Sequence, residues 1–121
     1  MIILYLSMIS SLAGELNNFA YYRGQCVTIE SEPSRIHWGI AKEECDEIAK
    51  ADRLLNDVYR LKLRSLGKAK QLSLRRSQRA WIKSTNRLCR LSEDGLINNE
   101  YSSECFATQA KQRVRYLTVL K

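Results

Sequence analysis

The four cysteines are the residues of this 121-residue chain whose chemistry is easiest to interpret. They are Cys26, Cys45, Cys89 and Cys105. An even number of cysteines in a short chain is typical of disulfides in an exported protein. A zinc site is the alternative, but it usually takes ligands in close pairs, and the smallest gap here is sixteen residues. We therefore predict two disulfides, with no metal and no other cofactor.

The spacing of these cysteines leaves three connectivities open. We favour Cys89–Cys105, which would pin the third predicted helix to the second across a turn, and which closes a loop of favourable length. Its companion, Cys26–Cys45, would fasten the N-terminal segment to the first helix. An antiparallel helix pair around Gly67 would also bring Cys45 and Cys89 to the same end, so that Cys45–Cys89 is a serious alternative.

Residues suited to catalysis are sparse. His37 is the one histidine, and a Cys–His nucleophile would need a free thiol, which an oxidising compartment would consume. Asp52 and Asp57 could supply a general acid and a general base, but they lie about 140° apart on one predicted helix. The sequence contains no G-x-S-x-G, H-E-x-x-H or glycine-rich nucleotide motif. These features predict a binding protein and not an enzyme.

The first thirteen residues resemble a secretory signal peptide. They carry no charged side chain, and Ser11 and Ala13 place small residues at positions −3 and −1 before Gly14. The apolar run is shorter than the roughly 20 residues that span a bilayer, although a core helix or a lipid-facing anchor is an alternative. We predict that residues 1–13 are removed, that residues 14–121 form one helical domain, and that the protein is periplasmic or secreted.

The fold class predicted from hydrophobic periodicity is all-α, a small bundle of about three long helices with an irregular N-terminal segment and two disulfides. The helices are predicted over residues 42–66, 68–91 and 99–119, and a short helix is predicted around Leu16–Tyr22. Low glycine and proline content favours long helices over many short strands.

Each of the first two helices has one apolar seam. In the first, Ile48 and Leu55 fall near one line, with Tyr59 beside them. In the second, Leu74, Trp81 and Leu88 recur at intervals of seven. We expect both seams to face the core.

The charge of +7 is distributed unevenly. Ten basic residues and no acidic residue lie between Leu61 and Ser92, whereas the first half of the first helix is acidic. We name as the basic ridge the four side chains that lie roughly opposite Trp81 on the second helix: Arg75, Arg79, Lys83 and Arg87.

Three explanations of the basic ridge remain open. A charged helix face is commonly just solvated, and some of these cations could pair with acids of residues 43–47. The functional explanation is a surface for an anionic envelope partner. Nucleic acid is the usual partner of a basic helix, but predicted export and the expected core position of Trp81 argue against it.

Two segments carry a family resemblance. Residues 51–59 (ADRLLNDVY) and 77–82 (SQRAWI), followed by Cys89, resemble the LprI-type lysozyme-inhibitor family of bacterial envelope proteins. Its pattern looks like Leu-Asn-x-x-Tyr, then Gln-Arg-x-Trp, then Cys. The resemblance covers roughly residues 45–117. It implies a compact helical bundle outside the cytoplasm, a disulfide between Cys89 and Cys105, and inhibition of lysozyme or another wall-degrading enzyme.

The residues that match the family motif are expected to be mainly structural. We expect the motif's apolar and aromatic members on the seams, and its two amides in hydrogen bonds between helices. The motif residues are Leu55, Asn56, Tyr59, Gln78 and Trp81.

The leading functional prediction is a protein that binds and blocks a wall-degrading enzyme. Many lysozymes are strongly basic, so docking would use the acidic part around Glu43–Glu47 or the turn at Glu93-Asp94. A single Arg or Lys could still enter the carboxylate-containing cleft. The alternatives are a periplasmic immunity protein against a cognate toxin, and a binder of anionic envelope polymer or lipid through the basic second helix. The oligomeric state is left undetermined.

Overall fold

The computed structural model describes residues 18–29, 39–92 and 94–121. The predicted signal peptide, His37 and Glu93 lie outside these ranges. The elements in chain order are β1 (Phe19–Tyr22), β2 (Gln25–Thr28), α1 (Lys42–Arg64), α2 (Lys68–Leu88) and α3 (Glu100–Val119). Three long helices therefore dominate the described chain, as predicted.

A β-hairpin replaces the helix that we predicted around Leu16–Tyr22, and that prediction was wrong for the described residues. β1 and β2 pair antiparallel, with Phe19 opposite Thr28. Arg23 and Gly24 link them with φ of 48° and 83°, the positive values that a two-residue type I′ turn requires. The strands are rich in aromatic and β-branched side chains, which favour pleated structure over helix.

β1 also contacts the chain just before two of the helices. Phe19 N–H donates to the Ile40 carbonyl at 3.1 Å, and Ile40 N–H donates back at 2.7 Å. Tyr21 and Ile97 exchange the same pair of bonds, both at 2.9 Å. This strand thus connects the segment that leads into α1 with the segment that leads into α3.

Side chains satisfy the backbone groups at two helix ends. Gln71 Nε2 donates to the carbonyls of Leu63 and Leu66, both at 3.0 Å, at the end of α1. Asn99 Oδ1 accepts from Ser102 N–H at 2.9 Å at the start of α3. Because helix ends leave backbone groups without intrahelical partners, such caps fix where the helices end and turn.

The core consists of two apolar clusters. The first joins the hairpin to the start of α1 and contains Tyr21, Ile40, Cys45, Ile48, Ala49 and Ile97. The second lies between the helices and contains Leu55, Leu74, Ala110 and Leu117. Tyr59 and Trp81 pack against the second cluster. The seam predicted for α1 is therefore the buried one.

The buried face of α2 differs from its predicted seam. Leu74 is buried, but Leu88 is 54% exposed, and the other buried positions are the polar residues Gln78 and Thr85. The prediction considered only apolar residues that recur at intervals of seven. Positions at that interval shift around the helix by about 20° per heptad, so the predicted line moves away from the buried face. Trp81 remains partly buried at the side of this face.

Both disulfides have the connectivity that we favoured. Cys26–Cys45 joins β2 to the first turn of α1 with a Cα–Cα distance of 5.9 Å, and Cys89–Cys105 joins the end of α2 to α3 at 5.4 Å. The alternative pairing of Cys45 with Cys89 is therefore excluded.

Candidate functional site

The family-motif residue Gln78 forms a hydrogen bond between helices. Its Oε1 accepts from Nε of Arg113 on α3 at 2.9 Å, and Nη2 of the same guanidinium donates to Ser77 Oγ at 2.8 Å. Arg113 is only 9% exposed, and its guanidinium lies 4.6 Å from the centre of the Tyr116 ring. Sequence reasoning missed Arg113, because one of three closely spaced bases on this helix (Lys111, Arg113 and Arg115) gives no sign that it points inward.

The charged guanidinium of Arg113 lies between α2 and α3, and no carboxylate of the described residues forms an ion pair with it. Burial lowers the pKa of Arg113, and the neighbouring Tyr116 and Tyr59 act in the opposite direction. A guanidinium nevertheless stays protonated in proteins. The amide, hydroxyl and ring around it are therefore what makes this burial tolerable.

Asn56, the other amide of the motif, does not join two helices as we expected. It is exposed, and its Nδ2 donates at 3.5 Å to Asp52 Oδ1 on the same helix. Asp52 in turn accepts a hydrogen bond from the Tyr21 hydroxyl. Burial, followed by this bond, raises the pKa of Tyr21 above its ordinary value. Asn56 thus belongs to a polar chain that links β1 to α1.

A cleft of about 210 Å³ lies where the hairpin meets α1 and α2. Four of the five motif residues line it: Leu55, Asn56, Gln78 and Trp81. Arg23, from the hairpin turn, and Asp94 line it as well. The cleft therefore combines an aromatic wall with charges of both signs, which suits a polar side chain of a partner.

The hairpin turn also borders an acidic surface. We use that term for the four acids near the start of α1: Glu43, Glu44, Asp46 and Glu47. Together with Gly24 and Gln25 they line an open depression of about 880 Å³. Lys50 and Arg53 share this depression, and Glu47 and Asp46 have local partners in Lys50 and Lys42. The remaining two acids, Glu43 and Glu44, are in no described ion pair.

Arg23 stands at the tip of the turn and lines the cleft, and its neighbour Gly24 lines both the cleft and the acidic depression. Arg23 is exposed, and its guanidinium lies 5.2 Å from the centre of the Tyr22 ring. Sequence reasoning missed Arg23. The signal that could have found it is a glycine-containing dipeptide between two short β-prone segments.

All members of the basic ridge are exposed on α2. The ion pairs of the described residues all lie within α1, so the ridge cations do not pair with the acids of residues 43–47. Nearby Arg90 has φ of 58° and stacks on Tyr101, 5.2 Å from the ring centre. Pairing with acids of the described residues is thus no explanation for the ridge.

The described residues offer little for redox or metal chemistry. All four cysteines are in disulfides, and no group of histidines, cysteines and acids in the described ranges is arranged to hold a metal ion. Within those ranges, every helix is too short or too polar to cross a membrane.

Comparison with known proteins points to one family. A family model described as "Lysozyme inhibitor LprI" matches residues 38–117, about two thirds of the chain. No curated protein and no solved structure matches the chain. The matched region contains α1, α2 and all but the last two residues of α3, together with the motif residues and three of the four cysteines.

Proposed function

The chain belongs to the lysozyme inhibitor LprI family, and on that premise we propose that it binds and inhibits lysozyme or another wall-degrading enzyme through the end of the bundle that carries the hairpin turn. The observation that supports this surface is that the hairpin turn borders the acidic surface, since Gly24, next to Arg23, lines the same depression as the four acids. We further propose that inhibition takes place outside the cytoplasm, where disulfides such as Cys26–Cys45 and Cys89–Cys105 persist.

The electrostatic argument begins from the net charge. A protein of charge +7 is repelled by a basic enzyme, and repulsion slows association. The acidic surface is the part of α1 where that repulsion is reversed. Glu43 and Glu44 have no described ion pair, so they remain available to guide a basic partner to this end of the molecule.

The second part of the argument concerns the catalytic groups of the target. A glycosidase of the ordinary kind has two carboxylates that flank the bond to be cleaved. A guanidinium pairs with a carboxylate through two parallel hydrogen bonds. Arg23, at the tip of a two-residue turn, is the exposed cation of the described hairpin, and it is adjacent to Gly24, which lines the acidic depression. We propose that Arg23 enters the cleft and occupies those carboxylates.

The turn favours this role because it is held in place. The backbone of Arg23 and Gly24 is fixed by strand pairing, and Cys26 ties the following strand to α1. A loop already held in its bound conformation loses less entropy when it binds. A rigid projecting turn therefore favours affinity more than a mobile one.

Inhibition assays on Arg23 variants test the proposal. Arg23→Asn removes the charge, and Asn tolerates the positive φ at this position. We expect its inhibition constant to rise by about 30-fold or more, the equivalent of the roughly 2 kcal/mol lost when one partner of a buried charge pair is removed. Arg23→Lys should retain part of the inhibition, because it keeps the charge without the fork geometry.

Arg79→Gln is the matched control, since it removes one exposed guanidinium from α2 and leaves the hairpin intact. It should inhibit like the wild type. Equal inhibition by the wild type and Arg23→Asn would contradict the proposed role of the turn. In a separate measurement, Glu43→Gln with Glu44→Gln should slow association with a basic lysozyme and reduce its dependence on salt.

A further inference from the structure

We propose that the outer face of α2 binds a linear, phosphodiester-linked polymer of the cell envelope, at a surface separate from the one proposed for the enzyme. This inference does not depend on the proposed inhibition. It rests on the number, orientation and chemistry of the cations on one helix.

The cations of α2 form a continuous row. Arg79, Lys83 and Arg87 follow one another at intervals of four residues, so that their Cα atoms are about 6 Å apart along the helix axis. Arg75 and Arg76 extend the row towards the start of α2, and each of these side chains is exposed. Arg90 continues it past the end of the helix. The whole row is about 22 Å long.

This row faces solvent because the opposite side of α2 is buried. Leu74, Gln78 and Thr85 are the buried residues of the helix, and they lie about 130–170° around the axis from the middle of the row. No acid lies between Leu61 and Ser92. Since the described ion pairs are confined to α1, the charges of the row are not neutralised within the described protein.

The side chains of the row suit phosphate. Five of its six members are arginines, whose planar guanidinium can donate two parallel hydrogen bonds to one phosphate group. A row of fixed positive charges also releases counterions from a polyanion, and the gain increases with the number of phosphates neutralised. A long polymer with regularly spaced phosphates therefore fits the row better than a single small anion.

A membrane surface fits the row less well. Helices that lie on a membrane insert an apolar face beside their cations. Of the exposed large apolar residues of α2, Leu72 lies in line with the cations near the first turn, Ile82 borders the row beside Arg79, and Leu88 lies on the far side of the helix. The row thus has isolated apolar neighbours but no continuous apolar face to insert.

The row and the enzyme-binding surface are on different elements. The first is on α2, and the second consists of the hairpin turn and the start of α1. A protein held on a wall polymer through α2 would therefore keep Arg23 accessible. Such binding would concentrate the inhibitor where a wall-degrading enzyme acts.

Binding of purified poly(glycerol phosphate) to the full chain tests the inference, with affinity measured over a range of salt concentrations. The test variant is Arg79→Glu, Lys83→Glu and Arg87→Glu. The matched control is Lys111→Glu, Arg115→Glu and Lys121→Glu, which changes the net charge equally at exposed positions of α3 and the C-terminus. Circular dichroism melting checks that each variant is folded, and Gln replacements at the same three α2 positions serve as a second test variant.

We expect the α2 variants to bind about tenfold or more weakly at low salt, and the slope of log Kd against log salt to fall by about 2, because three phosphate contacts are lost. The α3 control should bind nearly as the wild type does. Equal weakening of the two triple variants would overturn the inference, because net charge alone would then explain binding. So would preferential binding to vesicles of phosphatidylglycerol and phosphatidylcholine.

Discussion

Arg113 on α3 and Gln78 on α2 are joined by one buried hydrogen bond, 2.9 Å from Nε to Oε1. Around them the bundle is packed with apolar residues such as Leu74, Ala110 and Leu117. A polar pair in such surroundings contributes mainly by fixing how two helices face each other, because its net contribution to stability is small while both partners are present. Loss of one partner has a much larger effect.

Replacement of Gln78 by Met should therefore destabilise the fold by about 2–3 kcal/mol, since it leaves a buried guanidinium without one of its acceptors. The double variant Gln78→Met with Arg113→Met should recover much of that loss, because neither polar group remains unpaired. Urea unfolding of the two single variants and the double variant measures this coupling. Additive losses would show that the two side chains act independently.

Trp81 and Leu88 should respond very differently to truncation. Trp81 is partly buried against the helical cluster, so Trp81→Ala should cost about 2–3 kcal/mol, below the 3–5 kcal/mol typical of a fully buried aromatic. Leu88 is 54% exposed, so Leu88→Ala should stay within about 0.5 kcal/mol of the wild type. Thermal melting of both variants checks this. Equal losses of stability in the two variants would show that Leu88 lies on the buried face, as the sequence predicted.

Alkaline pH should weaken the attachment of the hairpin through Tyr21. Its pKa is raised in the folded protein, first by burial and then by the hydrogen bond to Asp52. The folded state therefore retains the proton that the unfolded chain loses near the ordinary pKa of about 10. The stabilisation that protonated Tyr21 provides is therefore fully present below pH 10, and it is lost as the pH rises above that value.

Unfolding by urea between pH 8 and pH 11 measures this dependence. Tyr21→Phe should be less stable at neutral pH by about 1–2 kcal/mol, and it should lose less stability above pH 10 than the wild type. A wild-type pH dependence identical to that of Tyr21→Phe would assign the alkaline effect to other groups.

The two disulfides should have different effects when removed. Cys26→Ala with Cys45→Ala frees β2, which is mostly exposed, so hydrogen exchange should increase in the hairpin while the helices stay protected. Cys89→Ala with Cys105→Ala removes a link between two long helices and should lower global stability by about 3 kcal/mol. Mass-spectrometric exchange and urea unfolding make both measurements, and identical exchange patterns would contradict the distinction.

The start of the mature protein is also testable. We expect the chain recovered from the envelope of its natural host to begin at Gly14 and to carry both disulfides, because residues 1–13 resemble a signal peptide. Intact mass before and after reduction gives both answers. A mass that includes Met1–Ala13, with four free thiols, would contradict export.

The sequence predicted α1 well because its buried face is apolar. Ile48, Leu55 and Tyr59 repeat with the period of a helix. The face of α1 that packs in the core consists of these same residues. The favoured disulfides were also confirmed. In each case the information is carried by residue types and spacing along the chain.

The buried face of α2 could not be predicted in the same way. Gln78 is buried because Arg113 supplies its hydrogen bond, and the two residues are separated by a turn and most of α3. Hydrophobic periodicity ignores polar residues, so it selected Leu88 instead. The hairpin was missed for a related reason, since Arg-Gly is a weaker turn signal than Asn-Gly or Asp-Gly.

The backbone bridges from β1 to Ile40 and Ile97 have a consequence for folding kinetics. α1 packs mainly against α3, so the bundle itself must first bring together two helices that α2 separates in sequence. The bridge from Tyr21 to Ile97 closes a loop that contains both α1 and α2. The entropic cost of closing this loop becomes small only after the helices have brought its ends together. The hairpin should therefore dock last, so that Cys26 reaches Cys45 only on an almost completed bundle.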